Sequence, residues 1–360
     1  MGCAAFDVEV VEINQHPPQK RKDAKVTQRN ISEGLGFFAV TWRFRVFAVG
    51  LFLPCAFVAH AQTYPTKPIR VIIGGSPASN ADIFFRMVAT RMGAILGQNL
   101  VVDYRPGAGG ALGAGITVKS PADGYTIMMV AAGFVMNPAL TKTLPYNPAR
   151  DFTALGLVAD VPAGLVVHPS LPAADLKQLI TLARMQPGQL NYGSAGQGSV
   201  LHLAGVLFDL LAKTKTVHVP YKSSAPSMVD LMSGQIAFSY PTVSGALQHV
   251  RSGKLRLLAQ TGAKRSAMLR DVPTAQEAGL PGMVVNSGFG LVGPGGLPRN
   301  VVDTVNGALA KVVHEAPIRK SMMDNGADPV GNSPAEHDAY IKAEVAKWVR
   351  VVNEAGLKTD

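Results

Sequence analysis

The sequence predicts an α/β fold built from parallel strands and the helices that connect them. Three features of the 360-residue chain point there. Short apolar runs alternate with helix-patterned segments from Pro65 onward, the rhythm of βαβ units in a doubly wound sheet. The same rhythm resumes after residue 160, as a second lobe would require. The chain is 47% hydrophobic and 16% charged, enough to bury more than one core at this length. Its 37 Gly and 25 Pro are scattered among apolar runs, which argues against disorder.

In order, Ile69-Arg70-Val71-Ile72-Ile73 reads as a buried strand and residues 82–96 as a helix with Ile83, Met87 and Val88 on one face. Leu100-Val101-Val102 is a strand, 109–119 a helix, and Tyr125 to Val130 a strand. Strand–helix pairs follow at 165–167 and 173–185, 190–192 and 199–212, 217–219 and 225–233, and 236–238 and 244–251, with a strand at 255–259. The end of the chain is mostly helical. Ser333-Pro334-Ala335-Glu336 is a capping box with Pro at the first helical position. Ile341, Val345, Trp348 and Val352 then form one apolar stripe, and Gly356 stops the helix. No repeat of 20–50 residues and no Pro/Ser-rich linker is present, so strands must join the lobes. Val158–Pro162 and Gly282–Asn286 are the candidate crossings.

The first 61 residues are set apart. Arg43 and Arg45 precede the apolar stretch Val46 to Val58 and the ending Ala59-His60-Ala61, the pattern of a secretory signal peptide. The stretch is short for a membrane span, and an N-terminal membrane anchor is the alternative to a cleaved signal. Cleavage after Ala61 removes both cysteines, Cys3 and Cys55, and with them any disulfide, thiol catalyst or cysteine metal site. The formal charge is +10, and the segment after Ala61 keeps 27 basic against 19 acidic residues. That balance suits an anionic ligand. The basic residues are dispersed and not interleaved with aromatics, so nucleic acid is not expected as a partner.

Four strand-to-helix loops can carry chemistry. Gly74-Gly75-Ser76-Pro77-Ala78-Ser79-Asn80-Ala81-Asp82 is either an anion cradle at a helix start or a tight turn with an ordinary cap. Arg105-Pro106-Gly107-Ala108-Gly109-Gly110-Ala111-Leu112-Gly113 reads either as a turn with close helix–sheet packing or as a dinucleotide loop. In the third, Ser194, Gln197, Gly198 and Ser199 converge on a helix start, with His202 in the first turn as a packed or capping residue or a general base. The sequence there is not G-x-S-x-G, so no nucleophile elbow is indicated. The fourth contains Tyr221 and Lys222, the lysine meeting either an anion or solvent. No metal-ligand spacing and no acid pair stands out. No cofactor and no enzymatic activity are expected.

Taken together, these segments resemble the solute receptors of tripartite tricarboxylate transporters, the Bug family. The resemblance runs through Tyr64-Pro65-Thr66-Lys67-Pro68-Ile69-Arg70, Asp82 with Arg86, Arg105 to Gly110, and Pro121-Ala122-Asp123-Gly124-Tyr125-Thr126. It continues through Asn137-Pro138, Tyr192 to Ser199 with His202-Leu203, His218 to Lys222, and Gly234-Gln235-Ile236. Gly253 to Arg256, Asp271-Val272-Pro273-Thr274 and Glu277-Ala278-Gly279 complete it. The resemblance implies a two-lobed α/β fold of the type II periplasmic-binding-protein kind, with the ligand cleft between lobes. Residues 1–61 would be leader and signal peptide, 62–160 with 284–360 the first lobe, and 161–283 the second. It implies capture of a small mono- or dicarboxylate in the periplasm, delivery to membrane permease subunits, and a monomer. Ser76, Ser79, Asn80, Asp82, Asn137, Ser194, Gln197, Gly198, Ser199 and Tyr221 are the expected ligand-binding residues. The chain departs from the family at Gly74 to Ser79, where an aromatic or proline followed by Ala-Gly-Gly is usual. It departs again at Ser223 and Ala237, where glycine and aspartate are usual. The competing readings are a nicotinamide-dependent enzyme using Gly107–Gly113 and a ligand sensor for a membrane signalling partner.

Overall fold

The computed structural model describes residues 64–357. The leader and signal peptide expected over residues 1–61 lie outside the described residues. Two mixed sheets organise the rest. The first contains β1 (Ile69–Ile73), β2 (Leu100–Tyr104), β3 (Thr126–Val130), β4 (Phe152–Pro162), β10 (Asn286–Pro294) and β11 (Asp328–Pro329), in the order β11-β4-β10-β3-β1-β2. The second contains β5 (Gly164–Val167), β6 (Asn191–Ser194), β7 (Val217–Pro220), β8 (Phe238–Ser239) and β9 (Arg256–Gln260), in the order β7-β6-β8-β5-β9. The helices are α1 (Asn80–Leu96), α2 (Ala111–Val118), α3 (Ala132–Leu140), α4 (Leu176–Met185), α5 (Val200–Ala212), α6 (Ser224–Met232), α7 (Val243–Arg251), α8 (Arg299–Val313), α9 (Ala316–Asp324) and α10 (Pro334–Glu354).

Hydrophobic pattern explains most of these elements. Ile69, Val71, Ile72 and Ile73 are fully buried, as a central strand covered on both faces requires. In α10 the capping box is complete: Glu336 N donates to Ser333 Oγ, and Ser333 N donates back to Glu336 Oε2 at 2.9 Å. Ile341, Trp348 and Val352 of its stripe are buried, and Val345 packs beside them. The same apolar cluster takes in Phe134 and Met136 of α3 and Leu203, Leu207 and Phe208 of α5, so α10 ties elements of both sheets into one core.

The expectation of wholly parallel sheets needs correction. β1 runs parallel to β2 and β3, and β6 parallel to β7 and β8, but β10 is antiparallel to β3 and β4, and β5 antiparallel to β8 and β9. The reversed strands are those adjoining the two passages between sheets. β4 leads through Ala163 directly into β5, and the segment after β9 returns through Val285 into β10. Thr261 fastens the two passages together. Its Oγ1 accepts from Ala163 N (3.2 Å) and donates its single proton to the carbonyl of Val285 (2.6 Å), with the carbonyl of Ala163 also within reach (3.1 Å). Its backbone N–H donates to Ala163 O and its carbonyl accepts from Val285 N, each at 2.9 Å.

Candidate functional site

Loops at the carboxyl ends of β1, β2 and β3 meet on one side of the first sheet, where open α/β sheets hold ligands. The loop after β1 turns at Ser76, whose carbonyl accepts from Ser79 N at 3.1 Å. Ala78 adopts a left-handed φ of 62°. Asp82 holds that conformation: its Oδ2 accepts from Ala78 N (2.9 Å), and its Oδ1 from Tyr104 Oη (2.9 Å) and Arg86 Nε (2.8 Å). Burial opposes ionisation of Asp82, but the Ala78 amide, the Tyr104 hydroxyl and the Arg86 guanidinium outweigh it and hold the carboxyl below its ordinary range. Asp82 thus shapes the loop from behind.

The loop after β2 packs against the first by virtue of its glycines. A Cβ on Gly74 would lie 2.7 Å from Gly110 Cα, and one on Gly133 would lie 2.3 Å from Gly109 O. Gly107, Ala108, Gly109 and Gly110 all have positive φ. Asn137 Nδ2 donates to the carbonyls of Ala108 (3.2 Å) and Gly109 (3.4 Å), so it clamps this loop from α3. The elements read from the sequence leave residues 132–140 unassigned. α3 forms there nonetheless, with Pro138 close to its C-terminal end.

A cavity of about 360 Å³ lies where these loops meet α5. Ser79, Asn80 and Ala81 line it at the start of α1, Ala131 to Phe134 at the start of α3, and Val200 at the start of α5. Three helix N-termini therefore converge on one space, each with first-turn N–H groups that lack intrahelical partners. Met128, Met129, Phe289 and Ser287 complete the walls with Gly74, Gly75, Gly109 and Gly110; no Lys or Arg is among the lining residues. Ser79 occupies the N-cap position of α1, yet its side chain does not cap the helix. Its Oγ is buried and has no hydrogen-bond partner among the described residues. A roomier surface groove, about 670 Å³, runs between α1 and β2, but no helix start opens into it.

The loop after β6 is held from within. Ser194 Oγ accepts from Gly196 N (3.0 Å) and bonds His218 Nε2 (2.6 Å). Ser199 Oγ accepts from His202 N and donates to Gly196 O (2.7 Å). His202 Nδ1 accepts from Gly198 N (3.1 Å), and its ring stacks on His218 at 4.0 Å. Burial, and then the neighbouring His218, push His202 down to about 4, so it is neutral and holds the loop as an acceptor. Tyr221 Oη donates to Asp230 Oδ2 at 2.6 Å. Gly198 faces Leu140 of α3 across the cleft, where a Cβ would meet Cδ1 at 3.1 Å.

Of the residues singled out from sequence, Ser79 and Asn80 line the cavity, and Ser199 sits beside Val200, which also lines it. Ser76 and Gln197 are exposed on their turns. Asp82, Asn137, Ser194 and Tyr221 make their bonds inside the supporting structure. The sequence reading did not single out Met128, Met129, Ala131 to Phe134, Ser287 or Phe289. The carboxyl end of β3 was the available signal for the first six. Among the described residues no group of three His, Cys, Asp or Glu could hold a metal ion, and no helix is long and apolar enough to cross a membrane.

Residues 84–357 match the family described as the tripartite tricarboxylate transporter family receptor. Protein BugT of Bordetella pertussis is 33% identical over 315 residues, covering 86% of this chain and 97% of its own. The Rhodopseudomonas palustris protein Rpa4515, solved with adipate, superposes with a TM-score of 0.68 at 34% identity, covering 81% of this chain and 98% of that one. The periplasmic binding protein BugD superposes with a TM-score of 0.66 at 29% identity, over 82% of this chain and all of its own. A two-lobed α/β receptor fold, with three helix starts converging on one cleft, thus comes with matching relatives along nearly all of the described residues, and the chain belongs to the tripartite tricarboxylate transporter receptor family.

Proposed function

We propose that this chain captures a small carboxylate with an apolar body, outside the cytoplasm, and presents it to the membrane permease subunits of a tripartite tricarboxylate transporter without catalysing a reaction. The observation that carries the reading is the cavity itself. Three helix starts supply N–H groups and positive dipole ends for an anion, and the buried Ser79 hydroxyl is free to donate. Met128, Met129, Phe134, Val200 and Phe289 surround the rest of the space, which suits a hydrocarbon body better than hydroxyl-rich acids. Rpa4515 with adipate and the malate-bound relative MatC, at 28% identity, lend support to the carboxylate.

In this reading Ser79, Asn80 and the α1 and α3 amides bind the carboxylate. Gln197, Gly198 and Ser199 close over it from the second lobe, and Ser76 edges the entrance. Asp82, Asn137, Ser194 and Tyr221 position the loops. Residues 62–160 with 284–360 form one lobe and 161–283 the other, working as a monomer after removal of the leader. A ligand touching α1 and α5 together favours the closed arrangement, because only that arrangement makes both sets of contacts. A thermal-shift screen of hexanoate, adipate, benzoate, malate and citrate tests the ligand class. Adipate, hexanoate or benzoate should stabilise most. Preference for citrate would contradict the apolar-bodied ligand, and no stabilisation by any acid would contradict carboxylate capture.

A further inference from the structure

A second cavity, of about 500 Å³, opens beside the passages between the sheets. Asp160 of β4, Asn286 of β10, Asp328 of β11, Tyr340 of α10, and Gly262 and Lys264 from the segment after β9 contribute to its walls. Asn286 lines this cavity, whereas its neighbour Ser287 lines the carboxylate cleft, so one crossing strand serves both. Asp160 and Asp328 are direct partners across antiparallel β4 and β11, an arrangement of like charges that is unfavourable unless something neutralises it. Gly288, the partner of Asp160 on its other side, leaves room for Tyr340; a Cβ there would lie 2.4 Å from Tyr340 Oη.

Asn286 Nδ2 donates to Asp160 Oδ2 at 2.6 Å. The other oxygens of this pair, Asp160 Oδ1 and Asn286 Oδ1, are both buried and accept nothing among the described residues. Asp328 Oδ1 accepts from Ser266 Oγ at 3.1 Å. Two orphaned acceptors at a wall carrying two carboxylates call for a donor with positive charge. No group of three His, Cys, Asp or Glu among the described residues could hold a metal ion here, whereas a primary ammonium needs only about three acceptors. Lys264 also lines the cavity, but it is exposed and pairs with neither carboxylate among the described residues.

We propose that this hinge cavity is a second binding site, for a small primary ammonium compound, lodged against Asp160 and Asn286. Its walls come from both crossing strands and from the segment leaving the second sheet, so lobe rotation changes its shape. An occupant therefore biases the open–closed equilibrium, and cleft and hinge ligands alter each other's affinity reciprocally.

Calorimetric titration of the protein with ethylammonium chloride at about pH 8, where carboxylates are ionised, tests this. Tetramethylammonium chloride of equal ionic strength serves as the control without N–H donors. One saturable ethylammonium site is expected, at least about tenfold weaker for tetramethylammonium and in the isosteric D160N variant, as loss of a hydrogen bond to a charged group implies. K264Q should keep the site. Equal binding of the two cations, undiminished binding by folded D160N, or loss of binding in K264Q would each overturn the proposal. So would a calcium titration that saturates the same Asp160-dependent site when ethylammonium does not.

Discussion

At the scale of single residues, Ser79 separates binding from folding. Its hydroxyl is buried without a partner, so S79A removes no internal hydrogen bond and should leave the melting temperature within about 1 °C of wild type or above it. A hydrogen bond to a carboxylate is worth about 1.5–3 kcal/mol, so the same change should weaken carboxylate binding roughly 10- to 100-fold. Parallel calorimetry and melting curves check the two halves, and an equal loss in both would make Ser79 a structural residue. Asp160 behaves in the opposite sense. Burial, and then the nearby charges of Asp328 and Glu344, push it from the ordinary 3.8 up to about 6. An acid raised on folding contributes stability that is fully present below the unfolded value and lost as pH rises through the folded one. D160N, which carries no charge, should therefore be more stable than wild type at about pH 8, by as much as about 3 kcal/mol, and lose that advantage below about pH 4. Denaturant midpoints at the two pH values measure this, and an advantage independent of pH would contradict it.

At the scale of elements, the contact of α3 with the loop after β2 decides whether the cleft exists. G133A places a Cβ 2.3 Å from Gly109 O, a backbone atom that Asn137 already fixes. The expected result is destabilisation of about 1–3 kcal/mol together with weakened ligand binding, read from denaturant melts and titration. Stability and binding both equal to wild type would show that the loop yields freely. The same region marks the limit of what the sequence discloses. β1, α5 and α10 were legible because apolar spacing and capping signals agree there with tertiary packing. α3 was not, because Pro138 masks a helix whose burial comes from α10. β10 was legible only at its first residue, since Ser287-Gly288-Phe289-Gly290 lacks a strand's apolar alternation. Its glycines admit Tyr340 and His337, a tertiary demand that no local pattern carries. For the site, the sequence pointed to loops that border the cavity. It could not tell Ser79, which faces the cavity, from Asp82 and Asn137, whose polar atoms turn inward to hold the loops.

At the scale of the whole molecule, the passages through Ala163 and Val285 meet at Thr261, which is fully buried. T261V keeps the shape of the side chain but leaves Ala163 N and Val285 O short of a partner, at a cost of about 1–3 kcal/mol. Small-angle scattering should show the liganded wild-type protein contracting to a smaller radius of gyration. No contraction at saturating ligand would contradict closure about these passages. In the proposed function, neutral donors at three helix starts recognise a carboxylate. Calorimetric titration of the best-binding acid beside its primary amide, which keeps the shape and removes the charge, tests it most directly. One site is expected for the acid and at least about tenfold weaker binding for the amide; equal affinity for the two would rule out recognition of the charge.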